Sequence, residues 1–242
     1  MQLPAGPCRC RCRRRLDGLG DHRAACPHAG VLRQRGIPLE RAAARICREA
    51  GGRVRVNVRL ADMNLGVPIA DARQIEVVVN GLPLWHGAQL AVDTTLVSPV
   101  GRDGFPRVRG DVLPGRAIEE ATNKKRHDTY RELLAARRCR LVVLGVEVGG
   151  RWGDEAVDFL RRLARARVRA LPPWLKVSAT QGFIHRWSGL AAVAAQCALA
   201  TSLLELPTGG EVHMDGDAPP IYDVLADARC TFPIADSRLP LR

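Results

Sequence analysis

The segment LAVDTTLVSP, residues 90–99, constrains the fold more than any other part of the sequence. Apolar side chains occupy both faces of this extended run, which is typical of a strand covered on both sides of its sheet. Asp93 lies in the middle of the run. An ionised carboxylate is costly there unless a hydrogen bond, an opposite charge or a metal ion stabilises it. The segment therefore predicts a layered core and a specific reason for Asp93.

The pattern of strands and helices around this segment predicts an α/β fold, with a small mixed sheet flanked by helices. In chain order we predict a helix beginning near Pro38, an alternating strand RVRVNVRL with a basic outer face, a hairpin over 74–97, a basic helix over 116–137, a buried strand over 139–148, and helices over 153–169, 184–204 and 221–228.

Composition divides the chain into three predicted segments. Residues 1–30 are short of apolar side chains and rich in Cys, Arg and Gly, so we expect a Cys/His knuckle there rather than an independent core. Residues 36–170 hold the predicted core. Residues 171–242 form a predicted helical C-terminal extension.

The charge balance points to a polyanionic partner. The chain has 37 Lys and Arg against 25 Asp and Glu, a net charge of +12, and its pI is about 10.2. Nucleic acid is the first expectation and an anionic membrane surface the second, while the strong preference for Arg over Lys also fits GC-rich coding. We find neither an apolar run of membrane-spanning length nor a signal peptide, so we expect an intracellular protein of the nucleus or cytoplasm, with no membrane partner.

The N-terminal cysteines suggest a metal site. Cys10, Cys12, His22 and Cys26 supply four ligands of the types that Zn²⁺ prefers in closed structural sites. The C-x-C pair is tighter than a standard finger, and Cys8 or His28 could replace one ligand. The alternative is a disordered basic tail with incidental cysteines.

A second constellation surrounds Asp93. Glu76 lies on the preceding strand and Glu147 near the end of the next core strand, so neighbouring strands would bring carboxylates to one site suited to Mg²⁺. The adjacent pair Lys124 and Lys125 follows on the next helix, where a compact ammonium could act beside the cation. The alternative is that both lysines are solvated helix charges and Asp93 is hydrogen-bonded to a neighbouring threonine or backbone amide.

The order of these motifs resembles a known family. A C-x-C pair, Gly-Asp-His, a further Cys, RQIEV, LAVDTTLVSP and a Lys-containing helix ending in TYREL follow one another. This order resembles the region downstream of the reverse transcriptase in non-LTR retrotransposons that carry a restriction-like endonuclease. The segments NGLPLWHGAQLAVDTTLVSP and RCRLVVLGVEVGGRW are similar to retroelement-derived proteins of the dinoflagellate type.

The resemblance implies a zinc knuckle formed by Cys10, Cys12, His22 and Cys26, followed by a nuclease of the PD-(D/E)XK class. It further implies that Asp93 is the second acidic residue of that nuclease. Lys125 or Lys124 then matches a lysine displaced onto the following helix, ahead of Tyr130. For residues 36–170 the resemblance implies a restriction-endonuclease-like core, and it implies Mg²⁺ or Mn²⁺ as the catalytic cofactor.

The match departs from the family at two places. The first acidic residue of the family follows Pro, whereas RQIEV offers Glu76 after Ile75, and the Arg-His pair that follows the knuckle is absent. We find no Y-x-D-D-like polymerase motif, so we expect a detached C-terminal piece of a longer polymerase-containing protein.

Three functions follow as hypotheses. The first is a retroelement-derived, metal-dependent endonuclease domain that hydrolyses a phosphodiester bond in DNA, with RNA as an alternative partner. The second, which rests on the departures from the family, is a catalytically inactive nucleic-acid-binding remnant. The third is a protein-interaction module built on the Ala-rich helix over 184–204, for which simple core packing is the simpler interpretation.

Overall fold

The computed structural model describes residues 9–10, 12–15, 22, 25–26, 31–101, 103, 105–110 and 112–204. The elements in this part of the chain are α1 (Val31–Glu49), β1 (Arg53–Arg59), β2 (Gln74–Asn80), β3 (Gln89–Val97), α2 (Arg116–Lys124), α3 (Arg131–Ala135), β4 (Cys139–Glu147), α4 (Asp154–Arg167) and α5 (Pro173–Leu204). Two 3₁₀ turns, Leu60–Met63 and Trp85–Gly87, and one π-helical turn, Lys125–Thr129, complete the connections. The helix predicted over 221–228 lies outside the described residues.

The four strands form one mixed sheet in the order β1-β2-β3-β4. Strands β1, β2 and β3 are antiparallel neighbours, and β3 and β4 are parallel. A parallel pair needs a long crossover connection, which α2 and α3 supply. The prediction of a small mixed sheet flanked by helices is therefore confirmed.

Both faces of β3 are covered, as its continuous apolar sequence predicted. Leu90 and Val92 belong to a core cluster that also contains Phe159 of α4 and Trp187 of α5. Ala91, on the opposite face, belongs to a second cluster with residues of β4 and α3. The middle of the strand, from Leu90 to Thr94, is buried, which accounts for its largely apolar sequence.

Three helix boundaries differ from the sequence prediction. Helix α1 begins at Val31, and Pro38 lies inside it, so tertiary packing of the following residues outweighs the backbone hydrogen bond that proline cannot donate. Helix α5 begins at Pro173 rather than near 184, because proline is tolerated in the first turn of a helix. The predicted helix over 116–137 is divided in three by the π-helical turn and by the non-helical backbone of Tyr130.

Helix α5 packs against α1 and α4 in the main core. Its side chains Phe183, Trp187 and Ala191 are buried in the same cluster as Phe159 and Leu163. Packing therefore joins the start of the predicted C-terminal extension to the core segment. Within the described part of the chain, no helix combines the length and the apolarity that crossing a bilayer requires.

Candidate functional site

The Asp93 side chain is fully buried in the middle of β3. The hydroxyl of Tyr130 donates to its Oδ1 at 3.0 Å and lies 2.9 Å from the carbonyl oxygen of Gln74. The ammonium Nζ of Lys125 lies 2.6 Å from its Oδ2. This contact is an ion pair outside hydrogen-bonding geometry, and within the described residues Oδ2 is buried without accepting a hydrogen bond. Asp93 therefore has one oxygen held by a hydroxyl and one that only faces a positive charge.

A π-helical turn selects Lys125 rather than Lys124 for this contact. Helix α2 ends at Lys124, and the wider turn from Lys125 to Thr129 closes with a 2.8 Å hydrogen bond from the Tyr130 N–H to the Lys125 carbonyl. Such turns insert an extra residue into a helix and often occur at functional sites. Lys125 is consequently directed toward the sheet, whereas Lys124 is exposed.

Arg73 fixes the end of this turn to the start of β2. Its guanidinium donates to the carbonyl of Thr129, to Glu132 at 2.8 Å and to Asp71 at 2.6 Å. The hydrogen bonds from Arg73 lower the pKa of both Asp71 and Glu132. These hydrogen bonds join the start of β2 to α3, so they support the position of the turn that carries Lys125.

Glu76 lies beside Asp93 where β2 and β3 separate. The last paired positions of the two strands are Val77 and Val92, and Glu76 and Asp93 are the next residues outward. The Oε2 atom of Glu76 accepts the Thr94 N–H at 2.5 Å and the Thr94 hydroxyl at 2.7 Å. The carboxylate thus satisfies a backbone donor of β3 beyond the last paired position.

The pKa of Glu76 shows which charged groups surround it. We call Glu40, Glu76 and Asp93 the carboxylate cluster. The pKa of Glu76 is raised to about 8, mainly by burial and in addition by the negative charges of Asp93 and Glu40. The hydrogen bond from Thr94 and the charge of Lys125 act in the opposite direction. Three acids from α1, β2 and β3 therefore influence one another beside a single lysine.

Sequence analysis missed Glu40. A signal was present, because α1 contains only two carboxylates, Glu40 and Glu49, among many arginines, and Glu49 is buried. A carboxylate retained in a basic helix is more informative than one on a mixed surface. What the sequence lacked was the contact of α1 with β2 and β3 that places Glu40 near Glu76.

Two of the residues predicted for this site lie elsewhere. Glu147 is at the end of β4, opposite Val97, four positions along the sheet from the Val143–Asp93 pair. At about 3.3 Å per residue this is about 13 Å from Asp93. Glu147 instead pairs with Arg151 at 3.3 Å. It cannot ligate the same ion as Asp93, and that prediction is corrected here, as is the inclusion of Lys124.

The donor set that remains suits a hard divalent cation. Carboxylate oxygens are the ligands that Mg²⁺ prefers. Asp93 Oδ2 is buried and accepts no hydrogen bond from described residues, while Glu76 and Lys125 are both only partly buried. Asp93 and Glu76 therefore offer the type of ligand that such an ion uses, and the charge of Glu40 acts on Glu76.

The N-terminal Cys/His cluster forms as the sequence predicted. The ligand atoms of Cys10, Cys12, His22 and Cys26 all lie within 4.8 Å of one another. The sulfurs of Cys10 and Cys26 are 3.8 Å apart, and Cys12 Sγ is 3.1 Å from His22 Nε2. Ligands at about 2.0–2.3 Å around a tetrahedral ion would be separated by roughly 3.5–3.8 Å. The four residues could therefore hold a structural zinc ion.

The cluster closes a short hairpin. Arg9 pairs with Arg15, and the N–H of Cys10 donates to the carbonyl of Arg14 at 2.9 Å. A hydrogen bond from the Arg14 backbone is the main cause that lowers the pKa of Cys12 to about 7, and its neighbouring ligands add to the effect. A thiol that ionises easily is a better metal ligand. The alternative ligands Cys8 and His28 lie outside the described residues.

No protein-family model matches the chain, and no curated protein matches it.

Proposed function

We propose that the chain is a metal-dependent DNA endonuclease domain derived from a retroelement. The observation that carries the proposal is the contact of fully buried Asp93 with Lys125, next to Glu76 with its raised pKa. A buried acid, a second acid from the adjacent strand and a lysine from the following helical segment are the constellation that the family resemblance implies. Their proximity in the fold supports the nuclease hypothesis over a coincidental resemblance in sequence.

In this proposal Asp93 and Glu76 hold Mg²⁺ or Mn²⁺. The cation would supply a water of lowered pKa and positive charge beside the phosphate undergoing attack. Tyr130 fixes the orientation of Asp93 through its hydrogen bond to Oδ1. Lys125 contributes an ammonium that orients the phosphate and balances the negative charge of the two acids.

DNA is the proposed substrate because the net charge of +12 favours a polyanion and the resemblance is to DNA endonucleases. RNA is the alternative nucleic acid, and the nucleus or cytoplasm is the proposed location. For the N-terminal cluster we propose structural Zn²⁺ bound by Cys10, Cys12, His22 and Cys26. Cobalt substitution should give the visible bands of a thiolate-ligated tetrahedral ion, and Cys26→Ser should remove them.

Nicking of supercoiled plasmid with Mg²⁺ or Mn²⁺ tests the catalytic proposal. Asp93→Asn and Lys125→Met should each reduce the rate by about 100-fold or more, because both groups act on the reacting phosphate or its cation. Lys124→Met is the matched control, since it removes the same charge from the neighbouring exposed position, and it should stay within about twofold of the parent. Equal rates for Asp93→Asn and the parent would remove Asp93 from catalysis.

One observation favours a second candidate, a nucleic-acid-binding protein that does not cleave. Asp93 and Glu76 already have protein partners in Tyr130, Lys125 and Thr94, so they are stabilised without a cation. Steeply salt-dependent DNA binding without nicking, unchanged by Asp93→Asn, would select this candidate.

A further inference from the structure

The connection between β3 and α2 exposes large apolar side chains. We call residues 98–110 the tip loop. Phe105 is 71% exposed and Val108 is 81% exposed, which is a high exposure for side chains of this size. Single apolar residues at a surface need no explanation, but an aromatic and a branched aliphatic three positions apart on one loop form an apolar projection.

The tip loop is held in place by its own backbone. The N–H of Gly101 donates to the carbonyl of Phe105 at 2.8 Å, and the N–H of Arg107 donates to the carbonyl of Pro99 at 2.9 Å. The Arg107 side chain adds a 2.9 Å hydrogen bond to the carbonyl of Ser98. These bonds form a small hairpin, so Phe105 and Pro106 are presented from a fixed base.

The charge of the tip loop complements a polyanion. Arg107 and Arg109 are exposed beside the apolar projection, and Asp103 is the one acidic residue among the described residues of the loop. Apolar wedges flanked by basic side chains suit nucleic acid, where the wedge contacts bases and the guanidinium groups contact phosphates.

We propose that the tip loop is a DNA-distorting contact that inserts Phe105 and Pro106 between base steps. The inference rests on the proposed function in taking DNA as the substrate. Phe and Pro are among the side chains that unstack base steps and bend a duplex. Unstacking costs least where a base is already unpaired, so the loop should favour duplexes with a mismatch or a bulge.

The distance between the tip loop and the carboxylate cluster determines how far apart along the DNA their two contacts would lie. Ser98 follows Asp93 by five residues along β3 and its end. At about 3.3 Å per residue the loop base is about 17 Å from the carboxylate cluster. This distance corresponds to about five base pairs at 3.4 Å per step. The loop would therefore act on the same turn of DNA as the carboxylate cluster, without touching the cleaved phosphate.

The test measures binding rather than cleavage. Full-length Asp93→Asn protein is titrated against a duplex with one unpaired base and against the fully paired duplex, each carrying 2-aminopurine near the unpaired position. Adding Phe105→Ala should weaken binding to the unpaired-base duplex about tenfold, weaken binding to the paired duplex about twofold, and abolish the 2-aminopurine signal. Trp174→Ala is the matched control, because Trp174 is an aromatic residue of α5 that is 77% exposed, and it should change neither affinity.

A second variant tests the phosphate contact. Arg109→Gln should lower binding to both duplexes equally and reduce the slope of log affinity against log salt by about one. Equal affinities of Phe105→Ala and its parent for the unpaired-base duplex would overturn the inference. The inference would also be overturned if Phe105→Ala weakened binding to phosphatidylserine vesicles and left binding to DNA unchanged, because the loop would then be a membrane contact.

The inference and the proposed function fail separately. Plasmid nicking that is unaffected by Phe105→Ala, with no change in affinity, would retain the endonuclease and reject the role of the loop. Binding that depends on Phe105 in a protein that never nicks DNA would retain the loop contact and reject the endonuclease.

Discussion

Two regions of the molecule bury carboxylates, and they treat them differently. Glu49, at the end of α1, is 1% exposed and accepts N–H donors from Arg45, Arg186 and Trp187 at 2.9–3.1 Å. Asp93 is also inaccessible, yet one of its oxygens accepts no hydrogen bond within the described residues. Burial is the same in both regions, but the number of donors is not.

The pKa values of Glu49 and of Glu76, the acid beside Asp93, shift in opposite directions. Burial alone would raise the pKa of Glu49, but hydrogen bonds from Arg186 and Trp187 outweigh it and the pKa is lowered. Burial also raises the pKa of Glu76, to about 8, and there the single Thr94 residue and Lys125 do not compensate for the charge of Asp93. A carboxylate whose oxygens are all hydrogen-bonded acts as a structural element, whereas a buried acid with an unsatisfied oxygen beside an acid of raised pKa is a candidate functional site.

Removal of Glu49 tests this comparison with the largest expected effect. Glu49→Ala removes the buried carboxylate that accepts from the indole N–H of Trp187 and from the guanidinium of Arg186. We expect a loss of about 3–5 kcal/mol in the free energy of unfolding, measured by urea denaturation. DNA binding measured below the unfolding transition should not change.

Asp158→Ala provides the control for this loss. Asp158 pairs with Arg162 at 2.6 Å, but both side chains are about half exposed, so water screens the pair. Its removal should cost under about 1 kcal/mol. If the two variants lose the same stability, the Glu49 cluster does not stabilise the fold through its buried hydrogen bonds.

The same comparison shows what the sequence could predict. The apolar run around Asp93 indicated a doubly covered strand with a carboxylate that needed a partner, because alternation and burial are local properties. The C-x-C pair and the downstream His and Cys indicated a metal cluster, because donor types and short spacing are also local. These predictions needed no knowledge of how distant elements pack.

Predictions that depended on packing were less successful. Lys124 and Lys125 are adjacent in sequence, and only the π-helical turn decides which of them meets Asp93. The position of Glu147 on the neighbouring strand predicts that it joins the site, but the register of β3 and β4 places it at the far end. Glu40 is on a helix whose contact with the sheet is long-range. Register and helix docking are set by the whole core, so short sequence patterns do not contain them.

The pH dependence of stability tests the raised pKa of Glu76, which distinguishes it from Glu49. The pKa of Glu76 is about 8 in the folded protein against an ordinary value of 4.5, so between these values the unfolded chain is ionised while the folded protein keeps its proton. The contribution of Glu76 to the free energy of unfolding is therefore largest at low pH and falls as the pH rises toward 8. Glu76→Gln is neutral in both states and should lack this fall.

Urea unfolding at pH 5 and pH 8 measures the effect. Relative to the parent, Glu76→Gln should gain on the order of 3 kcal/mol in the free energy of unfolding between the two pH values. Parallel pH profiles for the two proteins would show that the Glu76 carboxyl ionises alike in the folded and unfolded chains. Saturating Mg²⁺ should flatten the profile of the parent, because a bound cation favours the ionised carboxylate.

The smallest expected effect concerns Tyr130, the only hydroxyl that donates to Asp93 among the described residues. Burial and then the charge of Asp93 raise the pKa of Tyr130, so its proton stays in place at all ordinary pH values. Tyr130→Phe removes one donor with little change in shape and should cost about 1 kcal/mol in urea unfolding. Nicking should fall by more than that loss implies at a temperature where both proteins are folded, because Asp93 loses the bond that orients it. Unchanged nicking would mean that Lys125 and the strand alone fix the carboxylate.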